Sequence, residues 1–296
     1  MQKVLVAEIG NETTVVNAFG DLNTKNPKLI GQGITTKMFD RNIESGLKFA
    51  ITDLEQKIGP VGSLGEVPVY ATSSLPKQLD VQKGNEFILK GGILANPEAI
   101  EQAVRLIYEE VGDVLVLEVR DFSTNVYSGT SEGLVQRSVE DDLGVTRNAL
   151  TLVNLIGIKK IEENHGENWE TLLNSKPQTP EELTLSAELV SAAVSIALQR
   201  HNERFNIIGG KCTSSEERKF PKIRWIVGTG MALTQLPNGL DIMRESIRAL
   251  DCALFSQKNL VMLLDKDCIM PSLGVLASTY RQAAWQLLRE SLGVEN

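Results

Sequence analysis

The feature that most constrains this chain is an apolar strand that ends in an acid, turns, and returns as a β-branched strand, and that occurs twice. The first copy is Val4-Leu5-Val6-Ala7-Glu8-Ile9-Gly10, followed after a polar turn by Thr13-Thr14-Val15-Val16-Asn17-Ala18-Phe19. The second is Val114-Leu115-Val116-Leu117-Glu118-Val119, followed by Ser123-Thr124-Asn125-Val126-Tyr127-Ser128. Short β-branched runs joined by polar turns predict β-hairpins, at residues 3–19 and 114–129. Laid over one another, they put Glu118 on Glu8 and Ser123-Thr124 on Thr13-Thr14. The spacing is too long for a solenoid repeat, so a whole supersecondary unit is duplicated. The expected fold class is α/β with two duplicated lobes.

The rest of the chain reads in keeping with that. A strand is expected over Lys28–Thr36 and a helix over Asn42–Ile58, where Ile43, Leu47, Ala50, Ile51, Leu54 and Ile58 recur at helical spacing. Gly59-Pro60-Val61-Gly62 stops that helix, and Val67–Ala71 reads as a buried strand. Residues 72–92 are polar and contain Gly and Lys, which makes them the candidate boundary between a first lobe at 1–92 and a second at 93–296. Pro97–Val111 reads as a helix capped by Asn96, and 133–138 as a third strand of the second hairpin. A long helix at Glu181–Arg204 precedes a loop at 206–221 with Gly209-Gly210 and Pro221. Ile223–Val227 is a strand closing on Gly228-Thr229-Gly230; Gly239–Leu250, Leu260–Leu264 and Ser272–Leu292 follow as helix, strand and terminal helix.

Composition excludes some function classes. At 296 residues the chain has room for two lobes, at a prior of roughly 150 residues per domain. Net charge is -8 with no Lys/Arg block, which argues against a nucleic-acid partner. Cys212, Cys252 and Cys268 are spaced unlike a zinc or redox motif and read as reduced thiols. No apolar run reaches the length of a membrane span, and Glu8 interrupts what would be a signal-peptide core. The expectation is a soluble, cytoplasmic protein with no membrane partner.

A strand–turn–strand hairpin can hold phosphates, because turn N–H groups and threonine hydroxyls converge on one point. An acid ending the first strand can hold a hydrated magnesium ion facing them. Two such hairpins opposite one another would clamp a nucleoside triphosphate, and a strand ending Gly-Thr-Gly can admit an adenosine. The candidate nucleotide-binding residues are Gly10, Asn11, Thr13, Thr14, Ser123, Thr124, Gly228, Thr229 and Gly230. Glu8 and Glu118 are the candidate metal-holding and catalytic acids, joined by Asp142, which reads either as a water-orienting acid or as a charged helix start. His201 reads as a cap or surface histidine and His165 as a solvated loop residue. Asp265-Lys266-Asp267, after a strand, reads equally as a functional signature or as a charged turn.

The first hairpin, Val6-Ala7-Glu8-Ile9-Gly10 with Thr13-Thr14-Val15-Val16-Asn17-Ala18-Phe19, then Arg137-Ser138-Val139-Glu140-Asp141-Asp142-Leu143-Gly144, Arg200-His201, and the stretch from Arg224-Trp225-Ile226-Val227-Gly228-Thr229-Gly230 through Leu264-Asp265-Lys266-Asp267 to Leu273-Gly274 resemble the glutamate-mutase-associated MutL family. That family belongs to the actin/Hsp70/sugar-kinase superfamily. The resemblance implies an actin-like ATPase (ribonuclease H-like) fold, ATP and magnesium as cofactors, and a homo- or hetero-oligomer. It implies as partner an adenosylcobalamin-dependent mutase or aminomutase, served by an ATP-driven reactivating chaperone. Departures accompany it. The first turn reads Glu8-Ile9-Gly10-Asn11-Glu12, where Asp-x-Gly-Ser-Thr is expected. The second reads Glu118-Val119-Arg120-Asp121-Phe122-Ser123-Thr124-Asn125, so both glycines that let amides approach phosphate are gone. Members of the family are also longer.

Glu12 and Asp121 add negative charge near a polyanion. At an effective dielectric of about 20, each such pair at about 4 Å costs roughly 4 kcal/mol before screening. Arg120 either pairs with Asp121 and Glu118 or closes the vacated phosphate site. Three functions stay open: a nucleotide-cycling chaperone, a nonhydrolysing pseudo-ATPase adaptor, and a small-molecule kinase that would use Asp121 as its base.

Overall fold

A computed structural model describes residues 3–10, 13–36, 43–63, 65–74, 89–130, 134–174, 176–205, 223–249 and 260–294. The chain forms two compact units, Met1–Leu106 with Ile269–Asn296, and Ile107–Cys268. The first unit begins with β1 (Lys3–Ile9), β2 (Thr14–Gly20), β3 (Lys28–Thr35), α1 (Ile43–Ile58), β4 (Val69–Ser73) and β5 (Leu89–Ala95). Its sheet is ordered β3-β2-β1-β4-β5, with β1 antiparallel to β2 and parallel to β4. α2 (Asn96–Val111) carries the chain from one unit to the other.

The second unit repeats the plan. It contains β6 (Val114–Val119), β7 (Thr124–Gly129), β8 (Val135–Glu140), α3 (Ala149–Ile156), α4 (Ile158–His165), α5 (Pro180–Phe205), β9 (Trp225–Thr229), α6 (Met231–Thr234), α7 (Gly239–Ala249) and β10 (Val261–Leu264). The sheet order is β8-β7-β6-β9-β10, again with the first hairpin antiparallel and β6 parallel to β9. The duplication holds at the level of single hydrogen bonds. Ile9 lies opposite Thr14 as Val119 lies opposite Thr124. The turns close identically, with the Gly10 N–H donating to the Thr13 carbonyl at 2.9 Å and the Arg120 N–H to that of Ser123 at 3.0 Å.

Strand alternation decides what each face does. In the first unit Leu5, Ala7 and Ile9 of β1 and Val16 and Ala18 of β2 pack on Leu47, Ala50, Ile51 and Leu54 of α1. Glu8 and Asn17 therefore lie on the opposite face of that sheet. In the second unit Leu115, Leu117, Val119 and Val126 join Leu185, Leu189, Val190, Ala193, Val194 and Leu198 of α5. Glu118, Asn125 and Tyr127 lie on the other face. Each fully buried leucine contributes about 1.5–3 kcal/mol.

The compact units differ from the division expected at residue 92. The polar stretch read as a boundary ends in β5, parallel to β4; Lys90, Gly91 and Gly92 conceal a strand that lies at the sheet edge. The last helices, α8 (Met270–Ala277) and α9 (Arg281–Ser291), return to the first unit, although a single helix of the second lobe was expected. Ser278, Thr279 and Tyr280 separate them, and all three are poor helix formers. α3 and α4 were not expected at all. Asn42, the loop at 206–221, Cys212 and Cys252 lie outside the described residues. Among the described residues no helix is long and apolar enough to cross a membrane.

α8 is seated through Gly274, where an added Cβ would come 1.8 Å from the Ala99 carbonyl oxygen of α2. Gly274→Ala is expected to lower stability by about 1–3 kcal/mol, as overpacking against backbone does. A urea midpoint unchanged by the substitution would contradict this seating.

Candidate functional site

At the first hairpin, Glu8 is turned onto the first turn of α8. Its Oε1 accepts the Ser272 hydroxyl at 2.6 Å, the Ser272 N–H at 3.2 Å and the Asn17 amide at 3.2 Å. Asn17 also donates to Ser272 Oγ at 2.9 Å and accepts from Gln32 at 2.8 Å. A carboxylate beside the unsatisfied N–H groups of a helix start is favoured by hydrogen bonding and by the helix dipole. Gly10 closes the turn through its N–H; Asn11 and Glu12 lie outside the described residues. Thr13 precedes β2, and Thr14, opposite Ile9, lies on the α1 face of the sheet, away from Glu8. Its buried hydroxyl meets no partner among the described residues.

At the second hairpin, Glu118 is 1% exposed and surrounded by donors. Oε2 accepts the Asn125 amide at 2.8 Å and the Tyr127 hydroxyl at 3.1 Å, while Arg120 Nη1 lies 3.6 Å from Oε1. Burial and the neighbouring carboxylate hold the Tyr127 phenol well above its usual range, so it stays a donor. This donor set does not fit a directly coordinated divalent cation, because a guanidinium already neutralises one oxygen and neutral N–H and O–H groups fill the other. Among the described residues no group of three His, Cys, Asp or Glu side chains gathers as a metal-ligand set.

Asp121 is held elsewhere than expected. Its carboxylate accepts the Thr146 hydroxyl at 2.9 Å, and its carbonyl accepts the N–H groups of Thr146 and Arg147. Ser123 closes the turn through its carbonyl. Thr124 shares the core face with Val119, and its hydroxyl donates to the Leu143 carbonyl at 2.8 Å. The threonines following each turn thus lie on the sheet face opposite the acids, which a period of two requires.

The Gly-Thr-Gly segment is closely packed by the chain itself. An added Cβ at Gly228 would fall 2.4 Å from the Met243 sulfur, and one at Gly230, whose φ is +89°, 2.2 Å from the Val119 carbonyl oxygen. Thr229 donates its hydroxyl to the fully buried Asp265 carboxylate at 2.8 Å. Asp265 is therefore part of the packed end of the sheet.

Asp142 joins an ion-pair cluster. Arg200 Nη1 lies 2.7 Å from Asp142 Oδ1 and 2.9 Å from Glu140 Oε2, and Arg204 lies 3.3 Å from Glu140 Oε1. The hydrogen bond from Arg200 holds the Asp142 carboxyl below the usual carboxylate range and raises the guanidinium's own pKa. The cluster fastens the end of β8 to α5.

Both histidines are placed differently from the expectation. His165 ends α4, with its side chain 4% exposed and Nε2 2.8 Å from Glu188 Oε2. His201 is fully buried, with Nε2 3.0 Å from Ser128 Oγ, Nδ1 against Ser138 Oγ, and the Phe205 ring at 4.9 Å. A sequence signal existed, since His201 extends the buried stripe Val190, Ala193, Val194, Ala197, Leu198 along α5. Burial depresses its pKa to about 3, from an unfolded value near 6.5. The neutral ring is the folded form, so its contribution is complete above pH of about 6.5 and declines as pH falls toward about 3. The slope is at most about 1.4 kcal/mol per pH unit. Urea unfolding at neutral and at mildly acidic pH is expected to show this loss, and His201→Gln to remove it; an identical acid dependence in the variant would refute the assignment.

With this geometry in place, comparison with known proteins is informative. The family model described as MutL protein matches residues 79–292. Protein MutL of Clostridium tetanomorphum is 22% identical over 241 residues, which are 70% of this chain and 52% of that protein. The chain thus spans about half the length of this curated relative. The activator of the 2-hydroxyisocaproyl-CoA dehydratase from Clostridium difficile with bound ADPNP superposes with a TM-score of 0.51 at 11% identity, over 100% of this chain and 99% of that one. A ROK family glucokinase from Streptomyces griseus in complex with glucose and AMPPNP gives 0.52 at 11% identity, over 97% and 99%. These likenesses establish the actin-like ATPase fold. The family model takes in well over half of the residues, and this chain accordingly belongs to the MutL protein family.

Proposed function

We propose that this chain is a nonhydrolysing accessory protein that binds a partner enzyme, an adenosylcobalamin-dependent mutase or aminomutase. The observation that supports the reading is the state of the two acids. Glu8 and Glu118, the residues on which metal binding and hydrolysis would rest, are both engaged by hydrogen-bond donors of their own unit. Freeing either costs a charge-assisted hydrogen bond network, about 1.5–3 kcal/mol per bond. Asp142 is bound to Arg200, so it does not offer a free carboxylate for orienting water. Membership of the MutL family supports the accessory role, and the partner class is the one the family implies.

Against the kinase reading, the Asp121 carboxylate already accepts the Thr146 hydroxyl at 2.9 Å, and its carbonyl ties the turn to Thr146 and Arg147. A nucleotide-cycling chaperone on this fold would need at least one motif acid released from its internal partners. The reading favoured here keeps the fold as a binding scaffold and places no chemical step on ATP.

Two measurements test it. Phosphate release from magnesium-ATP by the purified chain is expected not to exceed the buffer blank. Capture from cells that make a cobalamin mutase is expected to bring down a partner with cobalamin absorbance. Turnover that Glu118→Gln abolishes would sink the nonhydrolysing assignment, and capture without cobalamin would sink the partner assignment.

A further inference from the structure

We infer that Asn238-Gly239 is a latent self-modification site, held shut by the fold and opened when the start of α7 detaches. It is the one Asn-Gly pair in the chain, and its chemistry is independent of what the protein binds. Water is the only co-reactant. The backbone nitrogen of Gly239, on giving up its proton, attacks the side-chain carbonyl carbon of Asn238. The bond from that carbon to the amide nitrogen breaks, ammonia leaves, and a five-membered imide closes. Water then opens the imide at either carbonyl, which leaves aspartate or isoaspartate. Ring closure is easiest before glycine, whose backbone is the least restricted and whose nitrogen is the least shielded.

Packing explains why glycine stands there in spite of that hazard. Gly239 is buried at the first position of α7, where an added Cβ would come 2.4 Å from the Leu233 carbonyl oxygen. Asn238 is exposed, so water reaches its amide. The backbone on either side of the bond is what blocks the reaction. The Gly239 N–H donates to the Leu236 carbonyl at 3.1 Å, which keeps the attacking nitrogen protonated and engaged. The Asn238 carbonyl accepts the Ile242 N–H at 3.0 Å, so the peptide between the two residues turns only if the first turn of α7 is given up. Ile242 and Met243 anchor that turn in the core. The reactive form is therefore a locally opened one, and the rate of modification counts how often it is visited. The two products differ in consequence. Aspartate suits a helix start, whereas isoaspartate reroutes the main chain through the former side chain and removes the carbonyl that Ile242 uses.

The whole chain, incubated at mildly alkaline pH either natively or in urea above its unfolding midpoint, tests this. Trypsin releases residues 225–244, bounded by Arg224 and Arg244, with Asn238 as the sole asparagine, and mass spectrometry follows its conversion. The native chain is expected to convert at least about a hundredfold more slowly than the unfolded one, the protection that a closed helix start gives. Ile242→Ala loosens the anchor and is expected to speed native conversion about tenfold while leaving the rate in urea unchanged. Asn238→Ser keeps a capping side chain and is expected to abolish conversion with an unaltered urea midpoint. A native rate within about threefold of the unfolded rate would overturn the inference, since no opening step would then be limiting. So would an unfolded chain that fails to convert, or a folded Ile242→Ala chain that converts no faster than wild type. If that variant does not fold, the wild-type comparison decides alone.

Discussion

A carboxylate inside a sheet has to be given donors, and both copies of the hairpin are organised around that obligation. In the first, a distant helix supplies them: α8 comes back to present Ser272 to Glu8, with Asn17 completing the set. In the second, the hairpin supplies its own, through Asn125, Tyr127 and Arg120. An unsatisfied buried carboxylate would cost several kcal/mol, so the neighbours of each acid are constrained as tightly as the acid itself. The same register that aligns these donors sends the following threonine to the other face, where it serves the core.

How much of this was legible beforehand depended on whether a residue's partner was local. The hairpins and their duplication were readable because strand alternation and turn polarity act within a few residues, and Glu118 over Glu8 turned out to be a match in register as well as in letters. β5 was hidden because Lys90, Gly91 and Gly92 break the apolar pattern at a sheet edge, where half of the strand's backbone groups need no strand partner. His201 was misread because its neighbours Arg200, Asn202 and Glu203 are polar, and only the inward serines of β7 and β8 reveal that the helix is buried at that point. The role of Asp121 was misjudged for a related reason: its partner Thr146 lies beyond β8, and no local rule joins them.

The glycines of β9 show how a motif can persist while its use changes. Gly228 and Gly230 stand where a strand end would need glycine to admit a ligand, yet the near neighbours at both are the chain's own atoms, Met243 on one side and Val119 on the other. Close packing alone is sufficient to require glycine there. At Arg120 the reverse holds, for a bulky cation stands in the turn where the family resemblance leads one to expect glycine, and the turn keeps its hydrogen-bond closure. Turn geometry and ligand chemistry are thus separable in this fold.

The return of residues 269–296 to the first unit has a bearing on how the molecule is made. On the ribosome the strands of the first sheet emerge early, but Ser272, which satisfies Glu8, is synthesised only after the whole of the second unit. The second unit is continuous in the chain and can complete its own core while the first waits with a carboxylate lacking those donors. Completion of the first unit therefore waits until the second unit has been synthesised. A nascent chain halted anywhere in the second unit has a first unit that still lacks α8 and the Ser272 donors of Glu8.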